Sequence, residues 1–390
     1  MIQNPVLPSQ SSHFYKMLLQ LLLLSILVAL ASSCQNIRVQ AKDGSVVIGR
    51  SMEFTQIDAP VNTYLVTEPA GTSYTMPSLP NCETPVTFTS LYKIARFRVY
   101  FDGSWANTTM GGINSAGISG SSLYFTACAK FPQPSTISGK ECSKAIPQTN
   151  IVLWVLARYD SIWKLERDLK KKKGSPFPTV WDQGDIGLET IPIHYAFHDS
   201  KGRSLVLEYT ADGMKYYENT VGVMTNSPEY SWHMTNLRLY PQARRADWPG
   251  FAWSYAREKY VASPFWTGSG LTGVPGDYTS PSRFIKAALS VNLILKPRTA
   301  DEAVIQAIHL MNAADMTLGI AGPSADVADF TWWTTLHDIE RKCVYFRGYS
   351  DPSYKKVCLN KTSDVESEQF IVDGDLEDGI FEMTEASITP

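Results

Sequence analysis

The order of hydrophobic patterns predicts an α+β protein of stacked layers, two β-sheets face to face with helices outside. Three observations carry that prediction. β-Rich runs cluster just after residue 34, at 190–225 and at 325–358. Helical periodicity instead fills 147–170, 280–295 and 299–315. The composition of the 390 residues, 44% hydrophobic and 19% charged, is that of a globular chain and excludes a disordered, collagen-like or polytopic membrane protein. Lys+Arg 35 against Asp+Glu 38 leave a net charge of −3, so the main electrostatic reason to expect a nucleic-acid partner is missing.

Residues 1–33 stand apart from this average, with one Lys, no Arg and no acid. Lys16 precedes an almost uninterrupted apolar stretch from Met17 to Ala31. About 15 residues rising 1.5 Å each span roughly 22 Å, short of the ~30 Å hydrocarbon core. Ala29-Leu30-Ala31 then supplies small residues at the two positions a signal peptidase inspects. The expectation is a secretory signal and a secreted or periplasmic protein; a non-cleaved anchor is the alternative. Cleavage after Ala31 leaves Ser32-Ser33 ahead of Cys34, and loss of that dipeptide makes Cys34 the N-terminus. An N-terminal cysteine holds a thiol (reference pKa ~8.5) beside an α-amine (~7.7–8.0), so nucleophile and general base share one residue. Two other readings stand beside it at this point. Ala31-Ser32-Ser33-Cys34 resembles a lipobox whose acylated cysteine anchors a non-catalytic lipoprotein, or Cys34 is a structural cysteine.

The residues behind Cys34 decide among these readings. Asn36–Gln40 and Ser45–Ile48 are β-rich runs flanking Lys42-Asp43-Gly44, whose Asp-Gly is a hairpin turn signal. Arg50 and Glu53 follow at the end of the second strand. A hairpin returns its second strand beside its first, so Arg50 can approach Cys34 and favour the thiolate, while Glu53 can hold the amine. Farther on, Ile151–Leu169 reads as one amphipathic helix closed by Lys170–Lys173 and Gly174, lysines suiting the negative end of the helix dipole. The helix over 299–315 opens with the capping box Thr299-x-x-Glu302. The tail from Ser363 has nine acids and no base, yet Phe370-Ile371-Val372 predicts a closing strand before a solvated end.

Cys34, a hairpin with Asp-Gly at its tip, and Gly49-Arg50-Ser51-Met52-Glu53 together resemble the choloylglycine hydrolase family, which includes bile salt hydrolases and penicillin V acylases. Five further segments resemble it in order: GGINSAGISGSSLYF (Gly111–Phe125), Thr190–Tyr209, VGVMTNSPEYSWHMTNL (Val221–Leu237), GLTGVPGDYTSPSRF (Gly270–Phe284) and Ala328–Asp351. The resemblance implies the four-layer αββα sandwich of the N-terminal-nucleophile hydrolases. It implies Cys34 as nucleophile, Arg50 against the sulfur, Asn226 as an oxyanion-hole amide, the Tyr124 backbone N–H completing that hole, and Arg283 as a second active-site arginine. Two positions depart from the family's usual residues. Glu53 stands where Asp is common, and Tyr124 matches penicillin V acylases where bile salt hydrolases more often have Asn.

The implied activity is hydrolysis of linear, non-peptide amides without metal or cofactor. Penicillin V is the first substrate expected, then an N-acyl homoserine lactone, then a conjugated bile salt. Tyr240–Gly268, rich in Trp, Pro and Arg, resembles the family's excursion that clasps a neighbouring subunit, which implies a homotetramer. In domain terms this divides the chain into a signal and pre-peptide (1–33), a catalytic domain (34–362) and an acidic closing strand and tail (363–390).

Other signals carry less. Gly268-x-Gly-x-x-Gly273 matches a dinucleotide fingerprint, but Val274-Pro275-Gly276 behind it opens no helix, so a turn is expected. His194 and His198 fall on one face of a strand with no zinc-ligand spacing around them, and His194 is expected packed or hydrogen-bonded in the sheet. Cysteines 82, 128, 142, 343 and 358 remain beside Cys34; Cys343 and Cys358 flank a hairpin and suit a disulfide in an oxidising compartment. Asn107 and Asn360 head formal glycosylation sequons.

Overall fold

The hairpin behind Cys34 forms as its turn residues dictate. Gly44 takes a φ of 94°, the Asp43 carboxylate accepts the Ser45 N–H at 2.9 Å, and Ala41 N–H meets the Ser45 carbonyl at 2.8 Å. The computed structural model describes residues 33–373, apart from 56–60, 102–103, 107, 172–173, 187–189, 263–266 and 325–326. The leader, its Ala29-Leu30-Ala31, Asn107, Lys172, Lys173 and the tail beyond 373 therefore lie outside the described residues.

Strands β1 (Gln35–Gln40) and β2 (Val46–Thr55) make the hairpin, and β3 (Val61–Glu68) crosses to a second layer. There β4 (Ile94–Phe101), β5 (Ser104–Trp105), β6 (Gly111–Asn114) and β7 (Ile118–Tyr124) join it. Helices α1 (Ile151–Arg158) and α2 (Ile162–Leu169) precede β8 (Ile193–Asp199), β9 (Ser204–Thr210) and β10 (Gly213–Glu218) of the same layer. The chain returns through β11 (Val223–Met224) to α3 (Tyr230–Leu237), α4 (Ser280–Leu293) and α5 (Ala300–Asn312). β12 (Ala321–Ser324), β13 (Val327–Asp338), β14 (Cys343–Gly348) and β15 (Lys355–Cys358) follow, and β16 (Glu368–Asp373) ends the described chain.

The first sheet runs β11-β1-β2-β13-β14-β15 with β12 on β13; the second runs β10-β9-β8-β7-β6-β4-β3-β16 with β5 on β4. Period-2 alternation assigns the faces of the second sheet. Ile193, Tyr195 and Phe197 pack outward against α1 and α2, while His194, Ala196 and His198 face the first sheet. On the far side, Phe284 and Ile285 of α4 and Ala303, Ala307 and Met311 of α5 pack onto Ile37, Val39 and Val47. Helix, sheet, sheet, helix is the αββα order expected.

Three sequence expectations change. Arg50 and Glu53 lie inside β2 rather than at its end, because the strand runs on to Thr55. The single helix expected over 147–170 is two. Tyr159 leaves the helical conformation, and Ser161 caps a new helix by accepting the Lys164 N–H, with Asp199 accepting the Ile162 N–H at 3.0 Å. α1 is buried all round and only α2 is amphipathic, and α2 ends at Leu169, before Gly174. The capping box is also modified: Thr299 accepts from Glu302 N–H, but the Glu302 carboxylate takes the Arg298 N–H (2.7 Å) rather than that of Thr299. α3, which follows Pro228, had no periodic signal of its own. The Gly268–Gly273 segment is a turn, with the Asp247 carboxylate accepting from Gly268 and Ser269 N–H. Cys343 pairs with Cys358 as expected, and Cys82 pairs with Cys142; Cys34 and Cys128 are the free cysteines among the described residues.

Candidate active site

Cys34 ends the segment leading into β1 and is fully buried. Its partner strand sets most of its surroundings. Asn36 pairs with Arg50 and Gln35 with Ser51, so the stretch Arg50–Glu53 passes beside the sulfur. Arg50 and Met52 are two residues apart and share the face toward the second sheet, whereas Glu53 takes the opposite face. The Cys34 Sγ lies 3.7 Å from Met52 Sδ and 3.9 Å from the Glu53 carbonyl.

Arg50 is 1% exposed. Its Nη2 donates to the Ser122 carbonyl at 2.7 Å and sits 3.4 Å from Met52 Sδ, and the guanidinium stacks 4.6 Å over Trp333. Nε and Nη1 have no hydrogen-bond partner among the described residues. The charges acting on Arg50 are Cys34 and Glu53. Buried charges are costly unless paired. Burial nonetheless pushes the Cys34 thiol up, outweighing Arg50 and the backbone N–H groups of Glu53 and Tyr124, all of which favour the thiolate; the Glu53 charge adds to the rise. Arg50 thus favours the thiolate as expected, while burial sets the net shift upward.

Glu53 is fully buried, and that burial raises its carboxyl to about 7 against the pull of Arg283, Ser51, Thr331 and Arg50. Thr331 Oγ1 donates to Glu53 Oε1 at 3.0 Å and accepts the Met316 N–H at 2.8 Å. Glu53 Oε2 has no partner among the described residues. A bulge delivers the threonine: opposite β2 the register shifts between Thr331 and Trp333, so that Thr331 pairs with Glu53 and Trp333 with Met52. One extra residue, Trp332, is what puts a hydroxyl at Glu53 and an indole under Arg50.

Arg283, in the first turn of α4 and 5% exposed, ties the nucleophile's residue to a distant loop. Nη1 donates to the Cys34 carbonyl (2.8 Å), Nη2 to Asn226 Oδ1 (2.7 Å) and Nε to the Tyr278 carbonyl (3.0 Å). A guanidinium only donates, so the Asn226 amide must turn Oδ1 toward it. Nδ2 then donates to the Tyr124 carbonyl at 3.0 Å and has a second N–H to offer. The Asn226 N–H is taken by Ser280 Oγ (3.0 Å). Tyr124 ends β7, its backbone N–H acts on the Cys34 sulfur, and its ring packs 5.6 Å from Phe54, which meets Trp332 edge-on at 5.3 Å.

The structure therefore brings Cys34, Arg50, Glu53, Tyr124, Asn226 and Arg283 to one place. Met52, Thr331, Trp333 and Ser280 complete it without having been singled out. All four lie inside the family-like segments, Met52 in Gly49–Glu53, Ser280 in Gly270–Phe284 and Thr331 and Trp333 in Ala328–Asp351, without a role assigned to them there. His194 and His198 are both engaged, His194 by Glu208 and the Thr225 carbonyl, His198 by Ser204 and Asn36. No group of three His, Cys, Asp or Glu among the described residues is placed to hold a metal. A buried thiol, donors for a developing oxyanion and a carboxylate suit acyl transfer through sulfur.

Comparison with known proteins agrees with this chemistry. The family model of linear amide C–N hydrolases, choloylglycine hydrolase family, matches residues 34–373 and so begins on Cys34. A bile salt hydrolase/transferase of Clostridium perfringens is 27% identical over 331 residues, 84% of this chain and 93% of that protein. A penicillin V acylase of Pectobacterium atrosepticum is 23% identical over 266 residues, 67% of this chain and 65% of that protein. The crystal structure of a variant of conjugated bile acid hydrolase from Clostridium perfringens superposes with a TM-score of 0.73 at 25% identity, covering 90% of this chain and 100% of the other.

Proposed function

The chain belongs to the choloylglycine hydrolase family of linear amide C–N hydrolases, and from that premise we propose how its own residues perform the reaction and on what. Removal of the leader and of Ser32-Ser33 frees the Cys34 amine. Once it has taken the thiol proton it is an ammonium, and that positive charge beside the sulfur opposes the burial that otherwise keeps the thiol protonated. Glu53 Oε2, buried and unpartnered among the described residues, is the group that holds this amine. The amine takes the thiol proton, and the sulfur attacks the amide carbonyl carbon. The second Asn226 N–H and the Tyr124 N–H stabilise the resulting oxyanion, each worth ~3–4 kcal/mol. The C–N bond breaks as the α-ammonium protonates the leaving amine. Water, deprotonated by the same amine, then cleaves the thioester. Arg50 balances charge at the sulfur, and Arg283 fixes Cys34 and Asn226 relative to each other.

The single observation that carries this reading is the convergence of six residues, spread over 250 positions of chain, around one buried thiol. Burial of Cys34 also supports a nucleophile over a lipid-anchored terminus, since an acylated cysteine has to reach a membrane surface. The leader supports a secreted or periplasmic site of action. An aromatic wall of Tyr124, Phe54 and Trp332 beside the site favours a flat aromatic acyl group, as in penicillin V. Conjugated bile salts are the second reading, favoured by the relative that spans 84% of this chain. The hairpin Phe251–Tyr255 with Glu258–Ala262 exposes Phe251, Trp253, Tyr260 and Val261, each more than half accessible, and serves to clasp other copies in a homotetramer.

Cys34→Ala is expected to abolish hydrolysis of penicillin V and of glycodeoxycholate, with intact mass and N-terminal sequencing of active protein showing a free Cys34 terminus. Residual turnover in the variant, or an active enzyme retaining Ser32-Ser33 or acylated at Cys34, overturns the mechanism.

A further inference from the structure

Behind Asn226 lies a buried polar system that the proposed mechanism does not use. His194 of β8 and Glu208 of β9 are 1% and 0% exposed and face the gap between the sheets. His194 Nε2 contacts the Thr225 carbonyl at 2.9 Å and Nδ1 contacts Glu208 Oε1 at 3.1 Å. Carbonyl and carboxylate oxygens flank the ring, so a hydrogen must sit in both contacts. Nε2–H donates to Thr225, and the His194–Glu208 contact holds the second hydrogen. Glu208 Oε1 also accepts the N–H of Tyr230 (2.9 Å), the first residue of α3. One turn along, His233 of α3 donates from Nε2 to the Asn226 carbonyl at 2.9 Å. Burial pushes His233 down to about 4, so its ring is neutral at physiological pH, and its Nδ1 has no partner among the described residues.

Two histidines therefore grip two successive carbonyls, Thr225 and Asn226, and one glutamate secures both, His194 directly and His233 through the start of its helix. Each ring is further fixed by stacking next to a site residue. Phe125, which follows Tyr124, lies 4.4 Å from His194 at 9°, and Phe284, which follows Arg283, lies 4.6 Å from His233 at 16°. His194 is thus packed behind both sources of oxyanion donors, the Tyr124–Phe125 end of β7 and the Thr225–Asn226 loop. An oxyanion donor misplaced by about an ångström forfeits roughly 100-fold in rate, so a loop that carries one needs rigid backing.

We propose that His194, His233 and Glu208 are positioning residues that hold Asn226 and the end of β7 in oxyanion geometry. They touch neither substrate nor sulfur, and their role rests on the reading of Asn226 as an oxyanion donor. Their loss should lower kcat while leaving KM nearly unchanged, because the donors act on a charge present only in the transition state.

The test measures kcat, KM and thermal midpoint on full-length processed enzyme, with penicillin V and glycodeoxycholate as probes and alkylation of Cys34 counting folded sites. His233→Phe keeps a ring on Phe284 but deletes the donor to Asn226. His194→Phe keeps the stack on Phe125. Glu208→Gln leaves either an amide oxygen or an NH2 at the one atom that meets both His194 and Tyr230, so it keeps one of the two contacts, and Glu208→Leu removes both. We expect His233→Phe and His194→Phe to lower kcat roughly 10- to 100-fold, with Glu208→Gln impaired less than Glu208→Leu. Asn226→Ala should lose roughly 100- to 1,000-fold, and adding His233→Phe to it should cost nothing more. Unchanged kcat per alkylatable site in both phenylalanine variants, or multiplicative losses in the double variant, overturns the positioning role while leaving the oxyanion reading intact. Full activity in Asn226→Ala overturns that reading, and turnover of neither probe by wild type overturns both. If His194→Phe does not fold, His233→Phe and the double variant decide alone.

Discussion

Glu53 is the residue whose chemistry depends most on where it is placed. An ordinary glutamate loses its proton near 4.5, but this one holds it to about 7 because it is sealed from water. The sign of the consequence follows from linkage. Below pH 4.5 the carboxyl is protonated folded and unfolded alike, so its contribution is fully present. Between 4.5 and 7 the unfolded chain releases the proton while the folded chain keeps it, and stability falls as pH rises through that window. The loss is on the order of 3 kcal/mol. Urea denaturation of the chain that still carries Ser33 should show this slope between pH 4.5 and 7.5, and Glu53→Gln should flatten it; an equal slope in the variant would show that another group titrates. Freeing the Cys34 amine gives the carboxylate a cationic partner, so the mature enzyme should show a shallower slope than its Ser33-bearing form.

Strand edges and close approaches decide two predictions among the elements. β14 and β15 are joined by Cys343–Cys358, which closes a loop of 15 residues, and Cys343 is the ladder partner of Cys358. Loop entropy for such a closure is about 3 kcal/mol. Cys343→Ser with Cys358→Ser should lower the urea midpoint accordingly, and an unchanged midpoint would show that the β13–β14 and β14–β15 ladders alone hold these strands. Gly112 of β6 is a different constraint. A Cβ built there would lie 2.2 Å from the Ala95 carbonyl oxygen and 2.9 Å from Arg96 Cα, both backbone atoms of β4 that cannot swing away. Gly112→Ala should therefore destabilise by at least ~1–3 kcal/mol, read as a fall in thermal midpoint. β7 pairs with β6 and ends in Tyr124, so activity should drop with it.

Across the whole molecule, two sheets enclose an interior that is unusually polar for a core. Asn36, Arg50, Ser119, Ser121, His194, His198, Glu208 and His337 are all buried. Hydrogen bonds cross between the layers at Asn36–Ser121, Asn36–His198 and Ser119–His337, so the sheets are registered by directional contacts as well as by apolar packing. Outside, the aromatic hairpin is the opposite case. Phe251, Trp253 and Tyr260 stack on one another at 4.6–6.3 Å while remaining more than half exposed. Such a ladder is stable in water only at a free-energy cost that burial in a neighbour would relieve, at roughly 25 cal/mol per Å². On the proposed homotetramer, wild type should sediment as a tetramer and Trp253→Ser with Tyr260→Ser should shift it toward monomer in sedimentation velocity. A wild-type chain that sediments as a monomer would refute the assembly outright.

What the sequence determined by itself is local and short-ranged. A Cys followed by an Asp-Gly hairpin and Gly-Arg-Ser-Met-Glu places an arginine beside a thiol through strand geometry alone, and the family resemblance of the ordered motifs implies Asn226 and Arg283 at the same site. Alternation likewise put His194 and His198 on one face. The tertiary structure decided what depends on sums over space. Whether Arg50 or burial governs the thiol is a balance of desolvation against charge, and desolvation has no signature in a short window of sequence. Thr331 reaches Glu53 only because Trp332 bulges out of a strand 278 residues away in sequence. His194, Glu208 and His233 acquire a shared purpose only once three elements converge behind Asn226. The split of the 151–169 helix was hidden for the same reason: the Asp199 carboxylate that fixes the second helix's start comes from a strand that no helical periodicity reveals.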